Sequence, residues 1–232
     1  MESLTLKVPK SKAKNILSFL LPTSQFFFIS GCIMELLLAI NIIWSCSSTF
    51  TCSEFLPTIS YLTCYRGHDR LFCVTMVYWC FILLLFSIIS YLNLKTDSYY
   101  TNVFMLLIGI VIALINPALA VLDEANTSYY VKTEKVHAGL MIGLILASLV
   151  WLYITTLSSK LTQFVHKYII VGLVLLLWSM AQWFYAERGG VVFNYFVEAV
   201  SEWIVVTLAV FIPYVYAGCF ENVSVSTKYK NK

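Results

Sequence analysis

The stretch that decides the fold runs from Leu71 to Leu92, LFCVTMVYWCFILLLFSIISYL, and it contains no Asp, Glu, Lys or Arg. A bilayer core of about 30 Å takes about 20 helical residues to cross, so this run is long enough. Its apolar residues are continuous rather than alternating, which reads as a buried helix and not as a barrel strand. Five further runs are similarly long and predominantly apolar: Gln25 to Ser45, Tyr100 to Leu122, Val136 to Leu157, Val165 to Tyr185 and Tyr195 to Cys219. Backbone in lipid must satisfy its own hydrogen bonds, which a helix does within one segment. The expected fold is therefore all-α: six transmembrane helices in one bundle, forming a single domain over residues 1–232. Apolar residues at 60% and charged residues at 12% stand well away from the roughly 45–50% and 25% of soluble domains.

A signal peptide competes for the first run, because Lys7, Lys10, Lys12 and Lys14 precede it. The run continues past the roughly 7–15 apolar residues of such a peptide, carries Glu35 and lacks a clean small-residue cleavage site, so it reads as a span. Lys and Arg in short loops stay on the cytosolic side. With the N-terminus inside, ten Lys and Arg fall on the cytosolic side and five on the other, which puts both termini in the cytosol. The sequon at Asn126 then lies in a lumenal loop and that at Asn222 in the cytosol. The net charge of +3 is mostly this topological signal, and with no basic cluster interleaved with aromatics, nucleic acid is not an expected partner.

Ionisable groups are costly in lipid, so those inside spans face the bundle interior, a wet cavity or a partner. Most of the acids gather in the lumenal half: Glu54, Asp69, Asp123, Glu124, Glu134, Glu187, Glu198 and Glu202, with His68 and His137 on the same side. Glu198 and Glu202 are spaced i, i+4, so a helix sets both carboxylates on one face. They either share a desolvated site or face water at the helix entrance. Span three ends in Asp123-Glu124 and span four begins at His137, so antiparallel packing brings a carboxylate and an imidazole to similar depth. Such a pair can serve as an oriented general base; no His-x-x-x-His or Cys-x-x-Cys spacing accompanies it, so no metal is assigned. In the first lumenal loop, Glu54, Pro57 and Ser60 mix an acid, a proline and a hydroxyl in a segment apolar enough to touch the membrane surface. Ser60 lacks a nucleophile-elbow setting, so the loop is read as a binding or capping element.

Glu35 lies near the centre of span one, as a functional site or as a partner of Asn116 or Gln182. Cys46, Cys52 and Cys64 face the oxidising side, where one disulfide can form by any of three pairings, and Cys73 competes. Gly139, Gly143 and Ala147 form a stripe that lets span four pack closely on a neighbour, and Pro117 and Pro213 are expected to kink spans three and six. No glycine-rich phosphate loop is present, so no cofactor is expected.

The string Phe55-Leu56-Pro57-Thr58-Ile59-Ser60 resembles the first lumenal loop of the family that joins FGF-receptor-activating protein, the damage-regulated autophagy modulators and the post-GPI-attachment lipid-remodelling factor. His137-Ala138-Gly139 resembles that family's lumenal histidine, and Ser201-Glu202-Trp203 the glutamate and aromatic of its last span. The chain departs from it at Phe211-Ile212-Pro213-Tyr214, where the family tends to carry asparagine and histidine. The likeness is strongest to the lipid-remodelling branch. It implies a multi-pass Golgi or endoplasmic reticulum protein that binds lyso-GPI lipid at the lumenal leaflet and assists or performs reacylation. Its expected partners are membrane lipids, GPI-anchored proteins and other membrane proteins. The residues assigned on this basis are His137, Glu202 and Asp123 for catalysis, and Glu54, Pro57, Ser60, Glu198 and Trp203 for the lipid. The alternative within the family is a non-catalytic regulator of the autophagy-modulator or lipid-kinase-recruiting type; a transporter lacks the expected inverted repeat.

Overall fold

A computed structural model describes residues 23–48, 52, 59, 68–94, 98–122, 133–156, 163–187 and 195–219. Every extended segment among them is helical and none is a strand. The helices are α1 (Thr23–Ser48), α2 (His68–Asn93), α3 (Tyr99–Val121), α4 (Thr133–Thr156), α5 (Gln163–Glu187) and α6 (Tyr195–Val210). After one non-helical residue, Phe211, helix resumes over 212–219. Five of these segments are long and apolar enough to cross a membrane: Thr23–Ser48, Arg70–Asn93, Tyr99–Val121, Gly139–Thr156 and Ala199–Cys219. Within α5, the described residues Gln163–Trp178 form a shorter apolar helix.

The most extensive helix contact is α2 on α3, followed by α3 on α4, α5 on α6 and α1 on α2. A smaller contact of α1 with α6 links the two halves. The buried positions of α1 are Phe27, Ser30, Gly31, Met34, Leu38, Asn41 and Ser45, a stripe at three- and four-residue intervals that marks one helix face. Outward faces are apolar as well: Leu36, Ile43, Val74, Phe81, Leu107 and Leu177 are all exposed. That inversion of the soluble pattern is what a lipid-facing surface requires.

At the end of the bundle formed by the start of α1 and the end of α2, aromatic rings interlock. Tyr216 lies 5.3 Å from Trp151 and 5.9 Å from Phe86, and Phe86 lies 5.5 Å from Phe27, centroid to centroid. The Tyr216 hydroxyl shares a hydrogen bond of 2.9 Å with Thr155. Segment 212–219 thus ties α4 and α2 together at the centre of this end.

The two prolines behave differently. Helix α3 runs on through Pro117 to Val121, whereas α6 is interrupted at Phe211, two residues before Pro213. Pro213 has no N–H to give Ala209 and its ring crowds that carbonyl, which accounts for the break. At the two glycines of the small-residue stripe of α4 no described neighbour comes close: a Cβ at Gly139 or Gly143 would meet nothing within 4 Å. The tight glycine contact is instead at Gly109 of α3, where a Cβ would stand 2.5 Å from Ser87 Oγ. Gly31 makes a similar notch in α1 for the Phe211 ring, 3.0 Å from its would-be Cβ.

Candidate functional site

Helix α3 ends with carbonyls that have no partner within their own helix, and its neighbours supply donors. Leu122 N–H closes on Ala118 O at 3.0 Å, Cys73 Sγ of α2 donates to Ala120 O at 3.4 Å, and His137 Nδ1 of α4 lies 2.6 Å from Leu122 O. A carbonyl oxygen only accepts, so Nδ1 carries the proton, and in a neutral ring the lone pair is left on Nε2. His137 is 5% exposed, and Nε2 is buried without a hydrogen-bond partner. The ring is thereby fixed in one tautomer with its basic nitrogen unspent. The sequence had placed His137 at the depth of Asp123; the observed bond is to the residue before it, and Asp123 itself lies outside the described residues.

Glu202 sits half-buried on α6, beside Trp203, which packs against the core, and one turn beyond Glu198. This carboxyl does not reach His137, whose hydrogen bond goes to Leu122 O and whose Nε2 has none. His137 lies in the α3–α4 seam, and Glu202 is on α6, which packs on α5 and α1. Glu54, Pro57 and Ser60 lie outside the described residues. What is described of that loop is Cys52, joined by a disulfide to Cys46 in the last turn of α1 with Cα atoms 5.4 Å apart, and Ile59, buried in the core. The pairing left open by the sequence is therefore Cys46 with Cys52, and Cys73 is a free thiol.

Polar groups also gather inside the bundle. Asn41 of α1, 1% exposed, donates through Nδ2 to Thr75 Oγ1 of α2 at 3.1 Å and to Leu37 O at 2.8 Å, while its Oδ1 and Ser45 Oγ are buried without partners. Glu35 does not pair with Asn116, which bonds Ile112 O of its own helix; the side chain of Gln182, the other residue the sequence suggested, lies outside the described residues. Glu35 Oε2 accepts from Thr207 Oγ1 of α6 at 3.3 Å, and its Oε1 is buried with no partner. Close by, the Tyr168 hydroxyl of α5 donates to Leu208 O at 2.6 Å. Sequence reasoning marked Glu35 and Pro213 but missed Thr207 and Tyr168; a hydroxyl four to six residues before a proline in a span was the signal for the former, and nothing in the pattern singled out the latter. Among the described residues no three His, Cys, Asp or Glu side chains gather as a metal site.

Comparisons with protein-family models, with curated proteins and with solved structures found no match.

Proposed function

We propose that this chain is a GPI-anchor lipid remodelling factor, a six-span protein of the Golgi or endoplasmic reticulum membrane with both termini cytosolic. It binds lyso-GPI lipid at the lumenal leaflet and assists or performs fatty-acid reacylation. The observation that carries this reading is His137, buried, held by Leu122 O through Nδ1 and unpartnered at Nε2. It lies at the same end of the bundle as the Cys46–Cys52 disulfide, and a disulfide suits the oxidising lumen. A lyso lipid with its head in the lumen would present its glycerol hydroxyl at this end. Nε2 then takes the hydroxyl proton as the oxygen attacks the carbonyl carbon of an activated acyl donor. The bond from that carbon to the donor's leaving group breaks, and the leaving group departs with the electron pair. A positioned general base of this kind is worth roughly 10²–10⁴ in rate. Glu202, on a separate helix, and Asp123, which follows Leu122 in the sequence, are assigned to a second proton transfer.

The test is the anchor composition of a GPI-linked reporter, by mass spectrometry, in cells lacking the protein and in cells rescued with wild type, His137→Ala or Glu202→Gln. Accumulated lyso-GPI reporter, corrected by wild type and not by His137→Ala, supports the reading. An unchanged anchor in the deleted cells refutes it and turns attention to the non-catalytic regulator.

A further inference from the structure

Glu35 stands halfway along α1, in a helix long and apolar enough to cross a membrane. A carboxylate there demands compensation, because an unpaired charge in a low-dielectric interior costs far more than one hydrogen bond returns. Among the described residues no Lys, Arg or His is paired with it, and its hydrogen bond is the one from Thr207. The remaining oxygen, Oε1, is shielded from solvent and has no partner.

The surroundings are specific. Thr207 O accepts Phe211 N–H at 3.3 Å, the last backbone bond before α6 is interrupted, and Tyr168 donates to Leu208 O in the same turn. A neighbouring helix thus supplies a donor where the backbone ladder is broken, which is how proline is accommodated at membrane depth. The only acid in the described part of α1 therefore meets α6 at its break. Gly31, one turn before Glu35, receives the Phe211 ring. The titratable groups facing this point are Tyr168 on α5, whose hydroxyl bonds the carbonyl of Leu208, the residue after Thr207, and, on α2, Tyr78, which donates to Ser30 O at 3.4 Å. Neither carries a positive charge.

We propose that Glu35 is a proton-binding site: its carboxyl is carried as the neutral acid inside the bundle and exchanges one proton with water beside the break in α6. A metal cation fits less well. Oxygen-coordinated divalent cations take about six or more ligands, and the oxygens at hand are one carboxyl and one hydroxyl, Leu208 O being engaged by Tyr168. The site stands independently of the remodelling reading, since it lies on α1 and α6 away from His137.

The experiment labels the full-length protein, in lipid nanodiscs, with dicyclohexylcarbodiimide. The acid O–H adds across one C=N bond to give an O-acylisourea, which rearranges to the N-acylurea; nothing leaves, so the tryptic or chymotryptic peptide gains the whole reagent mass. The expected result is an adduct located at Glu35 by fragmentation, at least ten-fold above the same peptide of Glu35→Gln. It should increase as pH is lowered and be unchanged when sodium replaces choline. Wild type alone decides the outcome if the variant does not fold. No adduct at Glu35 across the acidic to alkaline range, in protein that keeps its size-exclusion profile, overturns the proposal. Protection by sodium overturns it too, by assigning a metal cation to the carboxyl.

Discussion

The two ends of the bundle are built on different principles. Where α1 begins and α2 ends, Phe27, Phe86, Trp151 and Tyr216 interlock, and the Tyr216 hydroxyl is answered by Thr155. From the middle of the bundle to the other end, helices meet through polar groups with capacity to spare: among the described residues Glu35 Oε1, Asn41 Oδ1, Ser45 Oγ and His137 Nε2 are buried without partners, against Ser90 Oγ at the aromatic end. Orphaned polar atoms cost stability. A fold that keeps them on one side and closes its apolar packing on the other has separated the part that holds the helices together from the part that can act.

The sharpest way to break that contrast is Tyr216→Ala. Tyr216 is 1% exposed and bridges α2 and α4, and truncating a buried aromatic costs about 3–5 kcal/mol. Thermal unfolding in detergent, followed by a thiol-reactive fluorophore in a Cys32→Ser background that removes the exposed free thiol, reads this, because Cys219 is 3% and Cys80 9% exposed until the bundle opens. Tyr216→Phe keeps the ring and removes the hydroxyl, so its cost is expected to be about 1 kcal/mol. An equal loss in the two variants would mean that the hydrogen bond, not the ring packing, organises this end.

Next in size is Gly109→Ala, at the closest approach of α3 to α2. The new methyl would sit 2.5 Å from Ser87 Oγ and 2.9 Å from Ser87 Cβ, with Trp151 Nε1 at 3.4 Å. Overpacking of this kind costs about 1–3 kcal/mol. Ser87→Gly in the same chain should restore much of it, so a double-mutant cycle would show strong coupling. Additive losses would place the strain elsewhere in the α2–α3 contact.

These contacts also mark how far the sequence carries. Each expected run ends within three residues of an observed helix end, because hydrophobic continuity prescribes where a span starts and stops. Rotation about the helix axis is another matter. On α4 the apolar residues surround the helix, and a small-residue stripe looks the same whether it meets a neighbour or lipid. What sets the rotation is His137 with Thr155, about five turns apart and so on one face, both buried and both bonded across to other segments. Similarly, Glu35 was legible as an anomaly of α1, but its partner depends on a tertiary crossing with α6 that no local pattern encodes.

His137→Ala separates stability from action. It leaves Leu122 O without its donor, and interhelical hydrogen bonds in membrane proteins average about 0.6 kcal/mol, so the midpoint in the thiol assay should move far less than for Tyr216→Ala. Anchor remodelling, by contrast, should be lost. A variant as unstable as Tyr216→Ala would make His137 a structural cap first.

The smallest effect is expected at Gly139→Ala. Gly139 is exposed and a Cβ there meets nothing within 4 Å. The substitution therefore adds no clash, while removing the backbone freedom that glycine gives up on becoming helical, a gain of about 0.5–1 kcal/mol. The thiol assay in detergent should show the variant equal to or slightly above wild type, opposite in sign to Gly109→Ala although both replace a helical glycine in adjoining helices. Loss of stability at Gly139 would mean that α4 is rotated from its described position, with the stripe against a neighbouring helix. In that case His137 could not keep Leu122 O, and the free Nε2 on which the proposed chemistry depends would lose its anchor.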